Sequence, residues 1–292
     1  MPIFKGSAVA LITPFKKEDN NIVVDYEKLE ELIEFHIKNN TDAIVITGTT
    51  GESATLSFEE HEKCIKRCVE IVNGRIPVIA GTGSNNTKRA IELSKKAEEM
   101  GSDALLCVTP YYNKTNQNGL RKYYKDISES VKIPIIMYNV PSRTGVNIMP
   151  ETAIKIAEEN NNIIAIKEAS GNISQIVELA SYEKIDIYSG NDDQIVPILS
   201  VGGIGVISVL ANIFPKETHN MVTNYLNGNV KDARRLQLKT LKLCKALFSD
   251  VNPIPIKYAM RYLDMDSGIL RDPLIELDKK KGKTLIKEID MI

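Results

Sequence analysis

Residues 162–168 read NIIAIKE, a short and almost wholly apolar run that closes on Lys167 and Glu168. Such a run, rich in Ile and nearly continuous in its hydrophobicity, is what a strand buried on both faces requires. It is one of eight. The others are AVALIT (8–13), DAIVIT (42–47), IPVIAG (76–81), DALLCVT (103–109), IPIIMYN (133–139), IDIYSG (185–190) and IGVISV (204–209). Amphipathic segments separate them. After the first run, Leu29, Leu32, Ile33 and Ile37 form one apolar stripe, with Glu27, Lys28, Glu30 and Glu31 on the polar side. Ser57 to Glu60 reads SFEE, a capping box that opens the next helix.

Eight buried strands alternating with helices pair in parallel through right-handed crossovers. Closing eight such units gives a (β/α)8 TIM barrel, which takes about 250 residues. An open doubly wound sheet would carry a glycine fingerprint after its first strand. The stretch TPFKKEDN (13–20) has none. The expected division is a barrel over 1–227 and a C-terminal helical appendage over 228–292, with helical patterns at 229–248, 253–264 and 273–288.

Composition narrows the class. The 292 residues carry a formal net charge of −1, with 43% hydrophobic and 26% charged residues. Lys and Arg are spread along the chain, which argues against a nucleic-acid surface. The basic run Lys279 to Lys283 reads as a solvated helix face. No apolar stretch approaches the ~20 residues that span a bilayer. The start, MPIFKGSAVALITPF, lacks the features of a signal peptide. Cys64, Cys68, Cys107 and Cys244 make no C-x-x-C pair, and Cys64 and Cys68 stack on one helix face as small core residues. His36, His61 and His219 are scattered. A reduced, cytoplasmic protein without metal or cofactor is expected.

In a barrel of this kind chemistry gathers at the carboxyl ends of the strands. Period-two alternation puts Ile163, Ala165 and Lys167 on the barrel face, and Ile164, Ile166 and Glu168 on the helix face. Lys167 can snorkel out or pair with Glu168. Alternatively, desolvated at the mouth, it keeps more free amine, the nucleophile that forms Schiff bases with carbonyl carbons. Tyr138 ends the fifth run, where a phenol can relay protons or cap the core through a backbone hydrogen bond. Arg143, in SRTG, can hold a carboxylate bidentately or form a surface ion pair. The loop GTTGES (48–53) offers N–H groups and hydroxyls for an anion but lacks P-loop spacing. The next loop, GTGSNNT (81–87), reads as a connector. Tyr111 and Tyr112 can serve as a hydroxyl relay, an interface plug or both. The loops SGNDD (189–193) and SVLANIFPK (208–216) are not phosphate-gripping helix entrances. Together, an amine, tyrosines and carboxylate binders on one face fit an aldolase acting on a 2-oxo acid.

The motifs GTTGES, VTPYYN, YNVPSRTG, IKEASGN and GVISV occur in an order and spacing that resemble the dihydrodipicolinate synthases. These are the 4-hydroxy-tetrahydrodipicolinate synthases of the pyruvate-dependent class I aldolases. The resemblance runs from GSAVALITPF (6–15) to NPIPIKYAM (252–260). It implies that Lys167 forms a Schiff base with pyruvate and that Tyr138, Thr49 and Tyr112 make a proton-relay triad. Tyr112 would reach into the neighbouring subunit's site. It also implies that Thr50 binds the pyruvate carboxylate and that Arg143 binds the carboxylate of L-aspartate 4-semialdehyde. Gly190 and Ile207 would line the pyruvate pocket. The implied assembly is a homotetramer of tight dimers, and the implied product feeds diaminopimelate and lysine synthesis. The sister activity is N-acetylneuraminate lyase, whose members commonly lack the arginine at Arg143; a non-catalytic barrel is the more distant alternative. Phe58 and Arg89 stand where strongly lysine-inhibited members carry His and Glu, so weak inhibition by lysine is expected. Ser53, Ala54, His61, Asn85 and Tyr111 keep the matching residues.

Overall fold

The apolar runs become strands because buried backbone needs partners on both sides, and each run has an apolar neighbour to pair with. The structure is a computed structural model and describes residues 1–292. Its elements begin with β1 (Gly6–Ala10), a hairpin of β2 (Phe15–Glu18) and β3 (Asn21–Val24), α1 (Tyr26–Lys38) and β4 (Ala43–Ile46). Then come α2 (Phe58–Val72), β5 (Val78–Gly81), α3 (Thr87–Glu99), β6 (Ala104–Val108) and α4 (Gln117–Ser128). The next group is β7 (Ile135–Asn139), α5 (Pro141–Thr144), α6 (Pro150–Glu159), β8 (Ile163–Glu168) and α7 (Ile173–Ala180). The barrel ends with β9 (Asp186–Ser189), α8 (Ile195–Leu199), β10 (Gly205–Ser208) and α9 (Pro215–Leu226). Three C-terminal helices follow: α10 (Val230–Leu247), α11 (Ile254–Tyr262) and α12 (Lys279–Ile289).

All strands except β2 and β3 pair in parallel, and β1 closes the barrel by pairing with both β10 and β4. The expected TIM barrel is therefore the observed fold. Two layers fill it. The larger lies between strands and helices and includes Ile44, Ile46, Cys64 and Cys68. The inner one runs from Phe4, stacked at 4.3 Å on Tyr188, up through Ala8, Ala165 and Ile207 to Tyr138. Cys64 and Cys68 are buried on one face of α2, where burial pushes the Cys64 thiol up to about 12. The Ser57 capping box forms, with Ser57 Oγ accepting from Glu60 N at 3.2 Å and Glu60 Oε2 accepting from Ser57 N at 3.0 Å.

TPFKKEDN enters the β2–β3 hairpin, turned at Asp19 with φ +52° and paired antiparallel from Phe15 with Val24. Two expectations need correction. The last helix starts at Lys279 rather than near 273, because Asp278 caps it by accepting from Lys280 N and Lys281 N. The alternation along 162–168 is also broken. Ile135 pairs with Ile163 but Ile136 pairs with Ala165, so β8 carries one extra residue, a bulge. Ile163 consequently packs in the outer core and Ile164 against the inner one, the reverse of strict alternation. Beyond the bulge the alternation resumes, with Ala165 inward and Ile166 outward.

Candidate active site

Lys167 stands at the carboxyl end of β8, level with Tyr138 on β7 and Tyr188 on β9. It is only 5% exposed, and its Nζ lies 4.4 Å from the centroid of the Tyr138 ring, over the face that attracts a cation. Glu168 is not its partner. That carboxylate turns to the helix side, as alternation predicts, and accepts from Asn139 Nδ2 at 3.0 Å and Ser170 N at 2.7 Å. Burial pushes the Glu168 carboxyl up, against those hydrogen bonds. The amine is left facing a cavity of about 500 Å³ that Thr49, Thr50, Tyr138, Arg143 and Gly190 also line.

Tyr138 differs from its buried neighbours. Tyr124 donates to Cys107 O at 2.9 Å, Tyr123 to Val108 O at 3.1 Å and Tyr188 to Phe4 O at 2.8 Å. The Tyr138 hydroxyl has no such backbone acceptor and borders the cavity. The core-capping alternative is therefore not what the chain builds.

The loop between β4 and α2 coils tightly. Gly51 N donates to Gly48 O at 3.1 Å, Glu52 N to Thr49 O at 3.1 Å, and Thr13 Oγ1 to Gly51 O at 2.6 Å. Thr47 and Glu52 bracket it at φ +52° and +53°. Such left-handed non-glycine residues cost roughly 1–3 kcal/mol each and persist where the surroundings hold them. The N–H groups of Thr49 and Thr50 bond to nothing else in the chain, which leaves them as donors beside the cavity.

Arg143 sits on the one-turn helix α5 and donates from Nη2 to Asn252 O at 2.9 Å. Gly190 is required chiefly by Ala169: a Cβ there would stand 2.6 Å from Ala169 Cβ, and 3.1 Å from both Glu168 O and Lys167 Cε. Asp192 lies behind, accepting from Val209 N at 3.0 Å and Leu210 N at 2.9 Å. Burial pushes its carboxyl up, while Ser208, those two N–H groups and the Lys167 charge oppose the shift. No three His, Cys, Asp or Glu side chains converge as a metal-ligand set.

An amine at the mouth of a barrel, a phenol against it, and a threonine loop and an arginine on the same cavity define the site. The family model of the dihydrodipicolinate synthetase family matches residues 3–292. The chain belongs to this family. The 4-hydroxy-tetrahydrodipicolinate synthase of Clostridium tetani is 57% identical over 291 residues, covering 99% of this chain and 98% of that protein. A crystal structure of dihydrodipicolinate synthase from Aquifex aeolicus has a TM-score of 0.95 to it at 45% identity, over 98% of this chain and 97% of the other. The chloride-inhibited enzyme of Acinetobacter baumannii, complexed with pyruvate, matches with a TM-score of 0.94 at 42% identity, over 98% of each chain.

Not every position implied by the resemblance to the dihydrodipicolinate synthetase family meets in this single chain. Tyr112 is 91% exposed with φ +68° and lies outside the cavity, whereas Tyr111 lines it. Ile207 is packed in the barrel interior, and Val209, two residues on, reaches the cavity instead. GTGSNNT is more than a connector, since Gly83 and Ser84 form part of the wall. Asn252 was not singled out as a site residue. It donates from Nδ2 to Thr50 Oγ1 at 3.0 Å while its carbonyl takes Arg143, so it ties Thr50 and Arg143 together. Its only sequence signal is its place at the head of NPIPIKYAM.

Proposed function

We propose that this member of the dihydrodipicolinate synthetase family condenses pyruvate with L-aspartate 4-semialdehyde through a Schiff base on Lys167, in diaminopimelate and lysine biosynthesis. The observation that carries the reading is the Lys167 amine, buried, unpaired with Glu168 and 4.4 Å from the Tyr138 ring centroid. The amine adds to C2 of pyruvate, and loss of water from the carbinolamine gives the iminium. A proton leaves C3, and the resulting enamine attacks the aldehyde carbon, whose oxygen takes up a proton; the amino group of the semialdehyde then adds to C2 and displaces the Lys167 amine, which closes the ring and frees the enzyme. Tyr138, Thr49 and Tyr112 relay the protons, with Tyr112 supplied across a subunit boundary. Thr50 and the free N–H groups of its loop take the pyruvate carboxylate, and Arg143 takes that of the aldehyde. Gly190 borders the pyruvate end, and Val209 takes the place read from the sequence for Ile207.

The exposed, left-handed Tyr112 supports a tight dimer, and two such dimers make the homotetramer. No helix is long and apolar enough to cross a membrane; a cytoplasmic enzyme is the reading we adopt. The division into a barrel over 1–227 and an appendage over 228–292 draws support from α9 ending at Leu226 and α10 starting at Val230.

Borohydride reduction with pyruvate, followed by peptide mapping, tests the mechanism. A reduced adduct on Lys167, absent from Lys167→Ala, is the expected result. Unmodified Lys167 in folded protein at saturating pyruvate overturns it. A screen of aldehydes then separates this activity from a neuraminate-lyase type, with aspartate semialdehyde expected to react fastest.

A further inference from the structure

An ion pair with both side chains fully buried lies beside the catalytic cavity. Lys257 on α11 brings its Nζ to 2.6 Å from Glu52 Oε1, and both side chains are 0% exposed. Nζ also donates to Ile269 O at 2.8 Å and stands 4.0 Å over the Phe15 ring. The second carboxylate oxygen, Glu52 Oε2, accepts from Arg271 N at 3.1 Å. Arg271 continues the clamp, with Nη1 donating to Thr55 O at 3.0 Å, Nη2 to Ile22 O at 2.7 Å, and both to Glu60. One segment of the C-terminal region thus grips the GTTGES loop, the β2–β3 hairpin and the start of α2.

Stability alone is a poor reason for this pair. Two ions removed from water cost so much that an apolar pair of the same volume commonly serves at least as well. Burial pulls the Lys257 ammonium below its ordinary range, and the Glu52 carboxylate is what opposes that pull. What an ion pair adds over an apolar one is direction. Glu52 holds a left-handed backbone, φ +53° and ψ 36°, two residues after Thr50. Local bonds hold its backbone, Glu52 N to Thr49 O at 3.1 Å and Thr55 N to Glu52 O at 2.9 Å, but only its side chain ties that turn to α11. With Oε1 in ion-pair contact with Lys257 and Oε2 bonded to Arg271 N, it ties the loop's exit to the C-terminal region, while Thr13 holds Gly51 and Asn252 holds Thr50.

The geometry points to Lys257 as a positioning residue: through its buried pair with Glu52 it holds the 47–53 loop in the shape that presents Thr49 and Thr50 to the carboxylate of the 2-oxo acid. The inference rests on the reading of that loop as the carboxylate binder. Lys257 acts through Glu52 on groups that must meet substrate with sub-ångström accuracy.

The test measures carboxylate preference, which a purely structural role would leave alone. Borohydride trapping on Lys167 is followed with pyruvate and with hydroxyacetone, a ketone of similar size without the carboxylate. The variants are Lys257→Met/Glu52→Gln, which removes both charges at nearly constant volume, and Glu52→Gln alone, which also keeps the acceptor for Arg271 N should the double variant not fold. Thermal melting verifies that each is folded. The expected result is an about tenfold fall in the ratio of pyruvate to hydroxyacetone trapping efficiency, with hydroxyacetone trapping itself little changed. Thr50→Ala is the control for the underlying reading. If Thr50→Ala lowers the ratio but the folded Glu52 variants do not, the positioning role is wrong and the loop reading stands. If wild type shows no preference for pyruvate, or Thr50→Ala leaves it intact, the loop reading itself fails. Equal losses for both ketones in the Glu52 variants would reduce the pair to a structural role and overturn the proposal.

Discussion

Arg143 brings a guanidinium to the cavity with a single hydrogen bond of its own, to the Asn252 carbonyl. Its remaining donors are free, so the energy of a bound carboxylate would be charge-assisted. Truncation in Arg143→Ala should raise the KM for aspartate semialdehyde about 10- to 100-fold, the worth of one or two such bonds. The KM for pyruvate should move much less, and steady-state kinetics with each substrate varied in turn will read the split. An equal rise for both would place Arg143 elsewhere in the reaction. Arg89 and Phe58 make a second residue-level prediction. The guanidinium carbon of Arg89 lies 4.6 Å from the Phe58 ring centroid, so the two departures from the strongly inhibited pattern pack on one another. A cation held there repels the ammonium groups of lysine. Lysine titrated during turnover should therefore leave activity above half at all sub-millimolar concentrations; half-inhibition below a millimolar would sink the idea. Gly190→Ala offers a third. Its methyl would meet Lys167 Cε and Ala169 Cβ, so the trapped pyruvate adduct should form at least tenfold more slowly in a protein that still melts cooperatively.

At the scale of elements, the floor of the barrel carries a titratable staple. His219 on α9 meets Asp42 Oδ2 at 2.8 Å, just before β4, and the same oxygen accepts from Ser7 N on β1 at 2.7 Å. The bond to Asp42 holds the imidazole above its ordinary value, with burial opposing. The folded state therefore favours the protonated ring. That stabilisation is full below the unfolded value of about 6.5 and is lost as pH rises through the higher folded value. As pH rises from about 6.5 through the higher folded value, the melting temperature of wild type should lose more than that of His219→Gln, when both are followed by circular dichroism. Parallel slopes would show that the staple does not couple to folding. Elements also show what a sequence can and cannot reveal. The eight barrel strands were legible because burial on both faces writes itself as a continuous apolar run. The β2–β3 hairpin was not, since KKEDNN is polar and its pairing is settled by Phe15 packing under Lys257 and Arg271. Nor was the bulge in β8, because one extra residue leaves a run of isoleucines looking the same. Lys167 and Tyr138 could be placed by strand ends alone. Asn252 and Lys257 could not, as each acts on a loop some 200 residues earlier in the chain.

Across the whole molecule, the C-terminal region returns to the mouth of the barrel and walls one side of the site with Phe248, Asp250, Val251 and Asn252. The other side is open at the loop after β6. There Tyr112 is held in a left-handed conformation that costs a bulky residue energy, and its ring is almost fully exposed. A strained, solvent-facing aromatic beside a cavity that it does not itself line is the arrangement expected where a second copy completes the site. In a two-fold dimer the same loop crosses in both directions, so each site takes Lys167 from one chain and Tyr112 from the other. Two damaged chains should then repair one another. Lys167→Ala has no amine but an intact Tyr112; Tyr112→Phe has the amine but no hydroxyl to give. In a mixed dimer the Tyr112→Phe chain keeps Lys167 and receives the hydroxyl of its partner, which makes one complete site of two. Chains co-expressed with different tags and isolated through both should recover roughly a quarter to a half of wild-type turnover, above either variant alone. Turnover no higher than that of Tyr112→Phe would mean that each chain completes its own site, and that the exposed tyrosine serves assembly without entering the chemistry.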